Sequence, residues 1–150
     1  MYHAWLFSRI NPVAPLFAGL FLVEAMLLAW FGVVRGRIAF SSGARLWRAA
    51  GMGLAIYAMA YPFVNLLLGH EYPRVPTFGV PCPTAILTIG LLLTTGTARP
   101  TVVVAIPIVW GFIGGSAALV LGVTADYVLL GAGLLLGIHT LLGHAALQTT

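Results

Sequence analysis

Few side chains in this 150-residue chain are able to do acid–base or ligand chemistry: three Asp or Glu, four His, one Cys, and seven basic residues, all of them Arg. Glu24 lies in the middle of an apolar run, Val13–Val34. A charged carboxylate at the centre of a bilayer costs roughly 3 kcal/mol on insertion scales. Glu24 is therefore expected to face other helices and to be protonated, hydrogen-bonded or paired. Its chemistry would be that of a proton or cation site; the plainer alternative is a neutral side chain bonded to a neighbouring helix. His139 and His144 fall in and near the end of another apolar run. Five residues turn a helix by about 140°, so the two do not share a face or one metal. His139 is a candidate partner for Glu24 across helices, against the simpler reading of a buried neutral imidazole.

A second group surrounds a proline-rich break. His70-Glu71-Tyr72-Pro73-Arg74 brings titratable side chains beside the membrane surface, and Pro81-Cys82-Pro83 places the lone thiol at the start of a helix. A soft-metal site on Cys82 and His70 has too few ligands to be expected, and one cysteine excludes an internal disulfide. An inert thiol in a structural loop is the simpler reading. Thr84, Thr88 and Thr95 recur on one helical face, the pattern of a cavity lining or of hydrogen bonds between helices. The candidate binding residues are thus Glu24, His70, Glu71, Tyr72, Cys82, Thr84, Thr88 and His139. No hydrolase triad, nucleotide loop or paired-His haem site is present, no cofactor is evident, and no metal is specified.

The elements that must hold these groups are five apolar stretches: 13–34, 50–69, 83–98, 102–122 and 127–146. At about 1.5 Å per residue, about 20 residues of helix cross the ~30 Å hydrocarbon core. Four stretches reach or approach that length and the third is short. Hydrophobic residues make up 61% of the chain and charged residues 7%, where a soluble domain carries about 25% charged. The expected fold is all-α, a multi-pass transmembrane helical bundle forming one domain over residues 1–150. Asn11-Pro12 opens the first span as cap and first helical residue. Ala44–Arg48 can start the second helix early, lying along the headgroups, with Trp47 as an interfacial anchor. Pro62 and Pro107 should kink their helices. Thr124-Ala125-Asp126 reads as a turn and cap before the last span. Gly32-x-x-x-Gly36, Gly111-x-x-x-Gly115 and Gly133-x-x-x-Gly137 match the pattern that lets helices approach closely. In the loop of residues 70–83, Phe78 is expected to fold back onto the bundle, because non-helical chain near membrane depth is tolerated where protein buries it.

Arg35, Arg37, Arg45, Arg48 and Arg99 fall in breaks on one side of such a bundle, and Arg9 and Arg74 on the other. The positive-inside rule then puts the N-terminus outside and the C-terminus inside, with the proline-rich loop extracytoplasmic. The net charge of +4 is no sign of nucleic-acid binding, since it comes from arginines between spans rather than from a basic surface. Arg9 with the long run behind it does not read as a cleavable signal. The expected partners are the lipid bilayer and either a second copy or a larger membrane complex.

The string HEYPRVPTFGVPCPT at residues 70–84, with Tyr2-His3, Ile10-Asn11-Pro12 and the later Gly114-Gly115-Ser116-Ala117-Ala118, resembles a family of bacterial multi-pass membrane proteins, the domain of unknown function 6064 family. The resemblance covers essentially the whole chain. It implies a helical fold in the bacterial plasma (inner) membrane and no particular activity. It also implies further apolar helices ahead of the Tyr2-His3 pair, so that this chain is a shortened member or a late start. Three functions follow as expectations. Transport of a small solute or ion is favoured, using Glu24, the proline-bearing helices and the threonine face. An accessory or assembly subunit of a membrane complex is the second, and a membrane-embedded enzyme with its site at the outer surface is the third.

Overall fold

The computed structural model describes residues 14–40, 44–69, 81–96 and 99–148. Helix α1 (Ala14–Leu28) continues into a π-helical turn, Ala29–Val34. It is followed by α2 (Arg45–Leu67), α3 (Pro81–Leu93), α4 (Val102–Leu121), a 3-10 turn (Thr124–Asp126) and α5 (Tyr127–Gln148). Among the described residues there is no strand, and the fold is all-α. The segments Ala14–Val34, Arg45–Leu67, Val102–Leu121 and Thr124–Gly143 are long and apolar enough to cross a membrane. In lipid no water can satisfy backbone N–H and C=O groups, so a spanning segment closes its own hydrogen bonds as a helix.

The third element departs from expectation. It starts at Pro81 and ends at Leu93, a length of about 20 Å, where a helix to Ala98 was expected. Local hydrogen bonds account for the early stop. Thr94 and Thr95 turn their hydroxyls back onto the carbonyls of Leu91 and Leu92, at 2.7 and 2.6 Å. Their backbone N–H groups bond the same two carbonyls in three-residue turns. Threonine hydroxyls compete in this way with the next turn of helix. Pro62 and Pro107 are accommodated inside continuous helices, although proline deprives the carbonyls of Ala58 and Val103 of their helical donor.

The short α3 lies at the centre. Its Ile86, Ile89, Leu92 and Leu93 are buried, together with Ala58 and Tyr61 of α2, Val103 and Val104 of α4, and Leu129 and Leu136 of α5. Two glycine pairs set the helix spacing. A Cβ on Gly51 would stand 2.4 Å from the Gly90 carbonyl oxygen, and one on Gly111 would stand 2.7 Å from the Gly133 Cα. Backbone thus meets backbone between α2 and α3 and between α4 and α5, the close approach that small residues permit in membrane bundles. Of the three glycine motifs, only Gly111–Gly115 uses both members; Gly137 has nothing within 4 Å, and Gly36 serves a turn with φ +58. The tightest pair, Gly51 with Gly90, belongs to none of them.

At the end of α4, Gly122 takes φ +69 and Val123 donates back to the Ala118 carbonyl at 2.9 Å. This glycine-based cap reverses the chain into α5. Helix α1 is peripheral: only Ala14 and Glu24 within it are buried. It meets the bundle through Phe17 and Phe21, whose rings stand edge-on to Trp110 of α4 at 4.8 and 5.1 Å. Up-and-down connectivity gathers Arg35, Arg37, Arg45, Arg48 and Arg99 at one end of the bundle and Asp126 at the other.

Candidate functional site

Helix α2 carries Tyr57, Tyr61 and Asn65 at four-residue intervals, one polar stripe on an apolar helix. The stripe faces the start of α5, where a 3-10 turn presents Ala125 and Asp126, both buried. The Tyr57 hydroxyl donates to the Ala125 carbonyl at 2.7 Å. The buried Tyr61 hydroxyl donates to Oδ1 of Asp126. Asn65 donates to the Tyr61 carbonyl at 2.9 Å, and its side chain lies beside the Tyr61 hydroxyl. Cys82, in the first turn of α3, brings its thiol to the same carboxylate. Three helices and a turn therefore converge on one acid, and the partners it finds among the described residues are neutral hydroxyl and thiol groups.

Arg99 organises the opposite end. It is 7% exposed, in the turn between α3 and α4. One terminal nitrogen donates to Thr95 Oγ1 at 3.1 Å and to the Gly96 carbonyl at 2.7 Å. The other reaches His139 Nδ1 at 3.0 Å and Thr140 Oγ1 at 3.4 Å. A guanidinium only donates, so Nδ1 must accept and the His139 proton sits on Nε2. Trp47 covers the imidazole at 4.7 Å between ring centres. The half-buried Trp47 thus has one face packed on the bundle. Burial lowers the Arg99 guanidinium to about 10, still charged at neutral pH.

Glu24 is a third ionisable group, on the stripe of α1 that carries Phe17 and Phe21. It is 5% exposed. Neither carboxyl oxygen has a hydrogen-bond partner among the described residues, and neither has Trp110 Nε1.

The residues singled out from sequence are distributed as follows. Glu24 is buried against the bundle, but the pairing with His139 does not form: His139 belongs to Arg99. Cys82 joins the Asp126 cluster. Thr88 bonds the Thr84 carbonyl at 2.9 Å, and Thr95 has left the helix, so the expected three-residue stripe is not a continuous face. His70, Glu71 and Tyr72, with Asn11-Pro12, Arg74 and Phe78, lie outside the described residues, as does the His144 side chain. Among the described residues no group of three or more His, Cys, Asp or Glu is placed to hold a metal ion. Sequence reasoning missed Asp126 and Arg99, taken for turn residues, and the Tyr57-Tyr61-Asn65 stripe, whose four-residue spacing was the available signal.

Fold and site together define the class: a multi-pass helical membrane bundle with an acid buried near one end, a guanidinium near the other and a carboxyl group on its outer helix. The chain belongs to the family of unknown function DUF6064, whose profile matches residues 1–150. No curated protein and no solved structure matches it.

Proposed function

We propose that this protein moves a small solute or ion across the bacterial plasma membrane in a step linked to protonation of Asp126. The observation that carries the reading is the placement of the Asp126 carboxylate where α2, α3 and α5 meet, touched by Tyr61 and Cys82. Ionisable side chains inside membrane bundles mark ion pathways and proton relays. A carboxylate held by neutral donors is able to exchange a proton or a cation without first breaking an ion pair. In this reading Asp126 carries the exchange, Tyr61 and Cys82 tune it, and Glu24 is a second protonation site. The arginine-bearing end faces the cytoplasm, leaving the N-terminus outside and the C-terminus inside.

The test uses purified protein in liposomes loaded with a pH-reporting dye and given inward gradients of a panel of small cations and solutes. At least one gradient should produce an internal pH change that Asp126→Asn abolishes at equal protein incorporation. If no gradient does so, or if the Asn variant matches the native protein, the reading fails.

The exposed apolar face of α1, with Leu16, Leu22 and Met26, favours one second reading, a subunit of a larger membrane complex. In that case a partner helix would cover the outward face of α1, which carries Leu22 and Met26. Extraction in mild detergent would recover a stoichiometric partner, and Met26→Arg on that outward face would release it.

A further inference from the structure

Among the described residues, two grooves of similar size open on the outer surface of the bundle. One, of about 490 Å³, runs along α1 and the π-turn and is apolar throughout, lined by residues such as Val23, Leu27 and Trp30. The other, of about 460 Å³, lies between the first turns of α2 and the last turn of α3, lined by Phe40, Arg45, Arg48, Met52, Leu91 and Thr94 among others. Both volumes suit a small ligand or part of a larger one. Only the second joins two guanidinium groups to an apolar floor.

We propose that this second groove binds the phosphate headgroup of an anionic phospholipid, with one acyl chain lying over Met52 and Leu91. Arg45 and Arg48 are three residues apart and share a helix face. Both lie in the opening turns of α2, whose preceding residue, Ala44, has no side chain able to cap the first N–H groups. The positive end of the helix therefore adds to the two guanidinium charges. Arg35, Arg37 and Arg99 gather at the same end, so the local field favours an anion from every neighbouring turn. Met52 and Leu91 are exposed, at 56% and 42%, and follow the arginines toward the middle of the bundle. Charge followed by apolar surface in that order matches a phospholipid entering from its headgroup. A free phosphate would use the arginines alone and gain nothing from the apolar floor. Basic pockets between membrane helices on the cytoplasmic side are known physically as headgroup sites. The inference does not depend on transport, since it concerns the outer surface and none of the Asp126 cluster.

Native mass spectrometry of the full chain released from detergent tests it, with dioleoyl phosphatidylglycerol, dioleoyl phosphatidylcholine or inorganic phosphate added in turn. One phosphatidylglycerol should be retained per chain, roughly ten- to thirty-fold more strongly than phosphatidylcholine, the preference expected from two arginines near the surface. Arg45→Gln with Arg48→Gln should remove that preference. Leu91→Trp should fill the floor and weaken retention of phosphatidylglycerol while the arginines remain, and Val23→Trp, in the other groove, should change neither. Equal retention of the two lipids, a preference that survives the double Gln substitution, or displacement of phosphatidylglycerol by millimolar phosphate would each overturn the assignment. If the double variant fails to fold, the Leu91→Trp and phosphate arms still decide, since both keep the arginines.

Discussion

Asp126 and Glu24 are both buried acids, yet they differ in what surrounds them. Asp126 accepts from Tyr61 and has the Cys82 thiol nearby, whereas the Glu24 oxygens have no partner among the described residues. The difference yields opposite mutational signs. Tyr61→Phe removes a donor and leaves a buried acceptor short of one bond, a change of about 1–3 kcal/mol. It should lower the midpoint of thermal unfolding in detergent, and an unchanged midpoint would show that the bond adds nothing. Glu24→Leu removes two unpartnered oxygens from an apolar contact and should leave the midpoint unchanged or raise it. A marked fall would mean that Glu24 has a structural partner. Glu24→Gln should preserve folding in either case while ending any protonation at that position. The importance of Asp126 was hidden in the sequence because a Thr-Ala-Asp string before a span has a sufficient explanation as a turn. Only the Tyr61 hydroxyl, 65 positions away, shows otherwise.

At the scale of elements, helix spacing depends on a few glycines, and their surroundings separate those that matter. Gly111→Ala would place a methyl 2.7 Å from the Gly133 backbone, so α4 and α5 must move apart and the loss should be several degrees in the unfolding midpoint. Gly137→Ala, about one turn along α5 from Gly133 and with nothing within 4 Å, should be neutral. Equal effects from the two would refute the close-packing account. The motif search in sequence found Gly111–Gly115 but also returned Gly32–Gly36 and Gly133–Gly137, because the four-residue spacing says that a helix face is small without saying what lies opposite. Similarly, the early end of α3 followed from threonine hydroxyls returning to Leu91 and Leu92. The sequence does turn polar there, at Thr94-Thr95-Gly96, but threonine and glycine are common in membrane helices, so the span was carried on to Ala98.

For the whole molecule, the uneven placement of arginine gives a topology that labelling can check. With Cys82 replaced by Ala, a cysteine introduced at Thr124 should react with a membrane-impermeant maleimide in intact cells, and one at Ser42 should react only after the membrane is opened. The reverse pattern would invert the bundle and with it the leaflet of the proposed lipid groove. The same asymmetry separates the two buried polar clusters. The acid lies near the end joined by α4 and α5, and the Arg99–His139 pair lies near the arginine-rich end, so any pathway between them must pass the tightly packed centre of α3.

The number and character of the helices were legible in the sequence because lipid imposes a local rule. A stretch of about 20 apolar residues must satisfy its own backbone, and helix is the form that does so within one segment. The pairing of Tyr61 with Asp126, of Arg99 with His139 and of Gly51 with Gly90 was not legible. Soluble helices reveal their inward face by an apolar stripe, but these helices are apolar nearly all round, since lipid accepts the same residues as the core. Periodicity therefore leaves the rotation and register of each helix open, and those two quantities decide which polar groups meet. Only the tertiary structure supplies them, through backbone contacts at the glycines and hydrogen bonds that span 40 to 65 positions of the chain.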